Sequence, residues 1–475
     1  MILLKEVIRR KASPLPTLSN KLFCFTLVNK EHKVNYIFTI VNIILGRKKM
    51  KSKTKVVRVM LVSIFLGVMM VNVQAQGVTI SVADFIGGAA EVEVFEYLEQ
   101  QFQERNPGVK VERRYTPFAE YTDVLTTSIV GGSPPDVAML YDFNAGKFIG
   151  MGAILALDDL IKRDYPNVAQ WEADWAPGML TRENGKIHML CIRGGPRCVF
   201  YNVDRFRSVG LYYPARTWEE FVQDCKKLTR DINGDGRIDE YGIGLAATKQ
   251  GEGMWDWFSV LTAWGGKLLN EDRTAAFNQS EAIESMQFYV DLLLKHKVVP
   301  PGVLQTPKHK EVEEFIAGLT SMTWYGPWFI STLKTRKPKF KWAVGLMPTH
   351  EGRMGSSVGP IWWGICKASK HHEEAWEFIK FMTGPEASRY MAKKLEYTPA
   401  RLSVLNDPEL QKMEHFRVFV EQAKLPGAYI IPMIPETPQL IDILVEAYQT
   451  AMSGRKTAKE ALDKAAAKWN RLIAR

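Results

Sequence analysis

Three groups of residues in this 475-residue chain have types and spacings that could do chemistry. The first is an oxygen-rich loop, Asp231-Ile-Asn233-Gly-Asp235-Gly236-Arg237-Ile-Asp239. Asp231, Asn233, Asp235 and Asp239 fall at positions 1, 3, 5 and 9 of an EF-hand-like calcium loop, Arg237 would offer its carbonyl, and Gly236 suits the sharp turn. Position 12 is Gly242, so the bidentate carboxylate is missing. A structural Ca2+ and a metal-free Asp/Asn/Gly turn both fit this pattern, and no other cofactor is expected. The second group is Gly355-Ser-Ser357-Val-Gly359, which has the letters of a nucleophile elbow. An elbow needs an apolar strand before it, and Pro348-Thr-His-Glu-Gly-Arg stands there instead. His371-His372 point in different directions on a helix, and no HExxH, P-loop or GxGxxG is present. An enzyme is therefore not expected.

The third group is aromatic and polar. The chain has 13 Trp, and all but Trp469 lie between Trp171 and Trp376. Trp255 and Trp257 (in Glu252-Gly-Met-Trp-Asp-Trp), Trp324 and Trp328 (around Tyr325-Gly-Pro) and Trp362-Trp363 fall where loops should open. Burial in the core is the ordinary alternative for each. Adjacent Trp362 and Trp363 would point to opposite faces of a strand, so at most one faces a cleft. The polar candidates are Asp84, Tyr141, Asp142, Arg193, Glu252 and Glu436. Asp84 and Asp142 fall at the C-terminal ends of expected strands, where open α/β sheets bind ligands.

The elements that would carry these residues alternate. Val78–Asp84 reads as a buried strand. Residues 91–105 form an amphipathic helix with Val94, Phe95, Leu98 and Phe102 on one face, stopped by Asn106-Pro107-Gly108. A strand over 109–115, a helix over 121–130, a Gly-Gly-Ser-Pro-Pro turn and a strand over 136–141 follow. Strands alternating with helices imply an α/β layer fold with a mostly parallel sheet. The pattern resumes after Tyr201 and ends in helices. A chain of this length should split into two lobes.

Charge and export belong to the N-terminus. Residues 1–75 carry 14 Lys+Arg against 2 Asp+Glu, leaving 48 against 50 in the rest of the chain. The formal +10 of the whole is thus no signature of nucleic-acid binding. From Met50 a basic stretch, the apolar run VMLVSIFLGVMMV and a small-residue pattern ending at Ala75 read as a cleaved signal peptide, 50–75. Residues 1–49 do not fit a signal peptide. Gly46-Arg47-Lys48-Lys49 can be encoded by a purine run like a ribosome-binding site, so translation is expected to start at Met50, with 1–49 a gene-calling artefact. Cys191 and Cys198 flank a short turn in a chain bound for export, where a disulfide is permitted; two free buried thiols are the other reading, and the preferred one.

The order of segments from about 78 to 470 resembles the extracellular solute-binding proteins of ABC importers, in the branch that includes maltose-binding protein. The resemblance rests on Asn106-Pro107-Gly108-Val109-Lys110-Val111, on Gly132-Ser-Pro-Pro-Asp136-Val and on Gly185-Lys186-Ile187 followed by Val199-Phe-Tyr201-Asn202. It continues through Thr217-Trp218-Glu219-Glu220-Phe221, Gly326-Pro327-Trp328 and Ser453-Gly454-Arg455-Lys456-Thr457. It implies two α/β lobes, each a mostly parallel sheet flanked by helices, closing on ligand at a hinge. The expected lobes are discontinuous: 76–194 with 350–400, and 195–349 with 401–475.

Function follows from the same resemblance. A sugar ring offers an apolar C–H face to an aromatic and hydroxyls to carboxylates, amides and guanidinium groups. Trp328 matches the family's Gly-Pro-Trp stacking aromatic, and Trp255 and Glu252 fall near its sugar-binding aromatic and carboxylate. The expected ligand set is Trp328, Trp255, Glu252, Asp142, Tyr141, Asp84, Arg193, Tyr325, Trp363 and Glu436. The helix near Pro438-Gln-Leu-Ile-Asp lacks the stacking Trp of maltose-binding members, which argues against maltodextrin. The expectation is a monomeric, non-catalytic, periplasmic or extracytoplasmic carbohydrate-binding protein serving ABC permease subunits, with no nucleic-acid partner. A ligand-sensing partner of a membrane receptor and a carbohydrate-active hydrolase are the alternatives.

Overall fold

The computed structural model describes residues 77–249, 251–425, 428–429 and 431–474. The expected signal peptide and the 1–49 extension lie outside the described residues. The first sheet has the order β2-β1-β3-β11-β4, built from β1 (Val78–Asp84), β2 (Val109–Tyr115), β3 (Val137–Tyr141), β4 (Met189–Arg193) and β11 (Ile361–Ile365). β1 pairs with β2 and β3 in parallel, as strand–helix–strand units require. β11 returns from far along the chain and is antiparallel to both β3 and β4.

Burial explains the local choices. β3 reads Val-Ala-Met-Leu-Tyr and is buried throughout, as a strand covered on both faces must be. The helix Ala89–Arg105 buries Val94, Phe95, Leu98 and Phe102, one stripe at helical spacing. Asn106 ends it, its side-chain amide donating to the Phe102 carbonyl at 2.9 Å. The helix Trp218–Leu228 starts on a reciprocal capping box between Thr217 and Glu220.

The second sheet corrects an expectation. It comprises β5 (Cys198–Asn202), β6 (Met322–Tyr325) and β7 (Trp342–Gly345) in the order β6-β5-β7, and both pairings are antiparallel rather than parallel. The chain segment that could have extended it in parallel contributes a bridge, Tyr241 to Thr320, and the Gly244 N–H donates to the Met322 carbonyl, but it forms no strand. Short pairs complete the sheets: β8 (Thr349–His350) with β9 (Arg353–Met354), and β10 (Ser356–Ser357) with β12 (Ala428–Tyr429).

Two large apolar clusters fill the protein. One gathers buried residues between Ile80 and Ile192 and between Val358 and Ala400. The other gathers residues between Val199 and Met347 and between Ile431 and Trp469. The chain passes between them at Gly194-Gly195-Pro196 and again near Val358-Gly359. These two segments lie side by side: Pro196 bridges Val358, the Arg197 N–H donates to the Ser357 carbonyl, and the Gly359 N–H donates to the Gly195 carbonyl.

Candidate functional site

Strand ends and crossing segments converge on a cavity of about 260 Å3. From the first cluster's side come Phe85, just past β1; Phe118; Tyr141 and Asp142, at the end of β3; Arg193, at the end of β4; and Gly359-Pro360-Ile361. From the other side come Arg197, Glu252, Trp255, Lys308, Tyr325 and Trp328. Seven of the ten expected ligand residues line it: Trp328, Trp255, Glu252, Asp142, Tyr141, Arg193 and Tyr325.

Two groups of rings wall the cavity, one from Phe85 to Trp255 and the other Tyr325 with Trp328. Phe85 packs edge-on against Phe118 and Tyr141, with ring centroids at 5.1 and 5.7 Å. Burial pushes the Tyr141 phenol up to about 12, and its hydroxyl is tied to Thr122 Oγ1 at 2.9 Å. Trp328 is partly exposed and packs on the first apolar cluster although it lies between β6 of the second sheet and the helix Phe329–Arg336. Its ring lies over backbone: a Cβ on Gly326 would sit 2.2 Å from the indole, and one on Gly359 would sit 3.4 Å away. Only glycine at 326 allows that approach. Trp255 is different. It lies in the buried helix Met254–Ala263 rather than in an open loop, as does Trp257. One Trp255 face is covered by Phe143, stacked at 4.3 Å and 9°, and the Arg197 guanidinium lies 5.2 Å from the indole ring centroid. Trp255 therefore offers the cavity an edge and an N–H group rather than an open platform.

That N–H is used. Trp255 Nε1 donates to Asp142 Oδ2 at 2.9 Å. Burial pushes the Asp142 carboxyl up to about 7, against the pull of the Trp255 N–H and Arg197. Glu252 is likewise held above the usual carboxylate range by burial, with Lys308 acting the other way.

Arg197 and Lys308 belong to a buried ionic wall. Arg197 Nε lies 3.1 Å from Asp256 Oδ1, and Lys308 Nζ lies 2.7 Å from both Asp256 Oδ2 and Glu311 Oε2. Asp256 and Glu311 are completely buried. Arg193 has no such support. It is 7% exposed, its Nε has no hydrogen-bond acceptor, and among the described residues it forms no ion pair. Its guanidinium lies 4.3 Å from the Tyr397 ring centroid and 5.1 Å from that of Trp328.

Three expected residues are elsewhere. Asp84 is buried and bound by Arg113, whose Nε and Nη2 each lie 2.6 Å from a carboxylate oxygen. Its remaining capacity takes the Ile86 N–H at 2.7 Å. Trp363 is buried, and so is Trp362. β11 is an inner strand covered on both faces, so neither side chain reaches a cleft. Glu436 precedes the helix Thr437–Met452 and does not line the cavity. Sequence reasoning missed Phe85, Phe118, Arg197 and Lys308. Arg197 had a signal, since it and Arg193 bracket the Gly-Gly-Pro crossing; Lys308 has none, standing in the polar run Lys308-His309-Lys310.

The remaining motifs lie outside this cavity. Ser357 is fully buried, and its hydroxyl donates to the Trp255 carbonyl at 2.7 Å. The four described cysteines are free buried thiols, Cys191 and Cys198 included. In the oxygen-rich loop, Asp231 accepts the N–H groups of Gly234 and Gly236, Asn233 that of Asp235, Asp235 that of Arg237, and Asp239 that of Ile232. Among the described residues no three His, Cys, Asp or Glu side chains gather as a metal site. A larger cavity of about 540 Å3 borders the same crossing at Gly194-Gly195-Pro196. Its lining is mainly apolar, with Lys424 its one charged side chain.

Two lobes with a ring- and charge-lined cavity at their crossing segments have the architecture of a solute-binding protein. The chain belongs to the family of bacterial extracellular solute-binding proteins, which it matches over residues 84–389. A galactooligosaccharide-binding protein of Bacillus subtilis is 24% identical over 377 residues, 76% of this chain and 83% of its own. An sn-glycerol-3-phosphate-binding periplasmic protein of Salmonella paratyphi A is 23% identical over 423 residues, 80% of this chain and 89% of its own. An ABC transporter solute-binding protein of Thermotoga lettingae, solved with alpha-D-tagatose, superimposes with a TM-score of 0.74 at 24% identity. That superposition covers 84% of this chain and all of the other.

Proposed function

We propose that this protein captures a carbohydrate outside the cytoplasm and delivers it to the permease of an ABC importer, without catalysing any reaction. The observation that carries the reading is the cavity itself: rings from Phe85 to Trp328 on its walls, interleaved with Asp142, Glu252, Arg193, Arg197 and Lys308. Stacking faces with convergent polar groups suit the apolar face and hydroxyl rim of a sugar. The B. subtilis relative, named for galactooligosaccharide binding, supports it. Export through a cleaved signal peptide at 50–75 and closure of two discontinuous lobes about the 194–196 crossing are parts of the same proposal. A structural calcium in the 231–239 loop is a separate proposal that rests on sequence spacing.

A thermal-shift screen against mono- and oligosaccharides tests the binding reading. A saccharide present at about 100 Kd should add roughly 2.7 kcal/mol of stability. A broad panel that leaves melting unchanged would count against carbohydrate as the solute.

A further inference from the structure

We infer that the solute is an acidic carbohydrate, and that Arg193 is the residue that receives its oxyanion. This rests on the carbohydrate reading and specifies it. Three cationic side chains line the cavity, and two are already neutralised from behind: Arg197 by Asp256, and Lys308 by Asp256 and Glu311. Arg193 is more than nine-tenths buried, yet it has neither ion pair nor acceptor for its Nε among the described residues. The buried carboxylate of Glu91 favours its charge from beyond ion-pair distance and makes no ion pair or hydrogen bond with it.

Removing a cation from water costs several kcal/mol unless an anion or acceptors replace the lost hydration. Ring faces of Tyr397 and Trp328 recover part of that cost and hold the planar group in place. They satisfy none of its in-plane donors. A guanidinium so held, beside a cavity, suits two parallel hydrogen bonds to a carboxylate, phosphate or sulfate. Trp328 touches both the guanidinium and the cavity, so one sugar ring could stack on the indole while its acidic substituent reaches Arg193. A neutral sugar would leave the charge unanswered.

The test measures affinities of the purified protein by calorimetry for matched sugars (galacturonate and glucuronate oligomers, their neutral galactose and glucose counterparts, and the corresponding hexose 6-phosphates) and for sn-glycerol 3-phosphate. The same panel is run on Arg193→Gln and Arg193→Lys, with melting recorded for each. The expected result is that an acidic sugar binds at least tenfold more tightly than its neutral counterpart. Arg193→Gln should erase that preference, and Arg193→Lys should retain part of it. Uronates leading assigns a carboxylate, and phosphates leading assigns an ester; either supports the inference. Neutral sugars binding as tightly as acidic ones would overturn it while leaving carbohydrate binding intact. Binding of sn-glycerol 3-phosphate through Arg193 with no sugar bound would keep the oxyanion site and remove the carbohydrate. A folded Arg193→Gln variant with an unchanged acidic preference would remove Arg193 from the site.

Discussion

Asp84 and Arg193 end two strands of one sheet, both are buried, and both carry charge, yet they have opposite settings. Asp84 is gripped by the Arg113 fork at 2.6 Å and takes a backbone N–H as well. Arg193 has ring faces beside it and, among the described residues, no ion-pair partner, with Glu91 acting on it only from a distance. The position at a strand end is the same; the difference is whether the protein supplies the opposite charge itself. A charged side chain that the fold has already answered is part of the scaffold. One left unanswered beside a cavity is available to a ligand.

Removing the answered charge should have the largest effect. Asp84→Ala leaves Arg113 half-buried without its partner and should cost about 3–5 kcal/mol of stability. Chemical denaturation measures this, and affinity in the folded fraction should not change. A mild loss of stability with a large loss of affinity would move Asp84 into the site.

Asp142 sharpens the contrast, because its partner is an indole N–H rather than a cation. With its carboxyl pushed up to about 7, the folded protein keeps this proton where the unfolded chain, near 3.8, has lost it. The group therefore penalises folding progressively as pH rises from about 4 to about 7, by a few kcal/mol in all. Asp142→Asn keeps an acceptor for Trp255 and should flatten the pH dependence of melting across that window. Identical curves for the two proteins would show that burial does not hold the proton on Asp142.

What the sequence made legible follows the range of the interaction. β1, β2 and the helix face of Val94, Phe95, Leu98 and Phe102 depend on periodicity within a few residues, and they appear as expected. The position of Tyr141 and Asp142 beside the cavity was legible because the end of β3 is a local feature. Trp363 was misjudged because its exposure depends on β11 lying between β3 and β4, a pairing made across more than 150 residues. The same holds for Asp84, whose partner lies on the neighbouring strand, and for Lys308, which is drawn inward by Asp256 52 residues away.

Smaller effects are expected where charges serve turns. Asp231→Ala removes two carboxylate–amide bonds from the exposed loop and should cost about 1–2 kcal/mol, with affinity unchanged. If added Ca2+ raises melting and this substitution abolishes the gain, the loop holds calcium; indifference to Ca2+ and EDTA makes it a turn alone. The smallest effect should come from the unanswered charge. Arg193→Met, measured without ligand, gives up no ion pair among the described residues, and the desolvation cost it removes opposes the lost pull of Glu91, so stability should move by less than about 1 kcal/mol in either direction. A loss as large as that of Asp84→Ala would show that Arg193 is scaffold.

The central claim is that the cavity binds a sugar on Trp328 and releases it unchanged. Calorimetric titration of the wild-type protein and Trp328→Ala with the best saccharide of the screen, followed by mass spectrometry of the recovered sugar, tests it most directly. Saturable binding by wild type is expected, with affinity weakened about ten- to a hundredfold in the variant, equivalent to roughly 1–3 kcal/mol of lost ring contact. A largely preserved fold and sugar of unaltered mass are expected as well. Undiminished affinity in the variant, or cleaved sugar in the recovered sample, would contradict the claim.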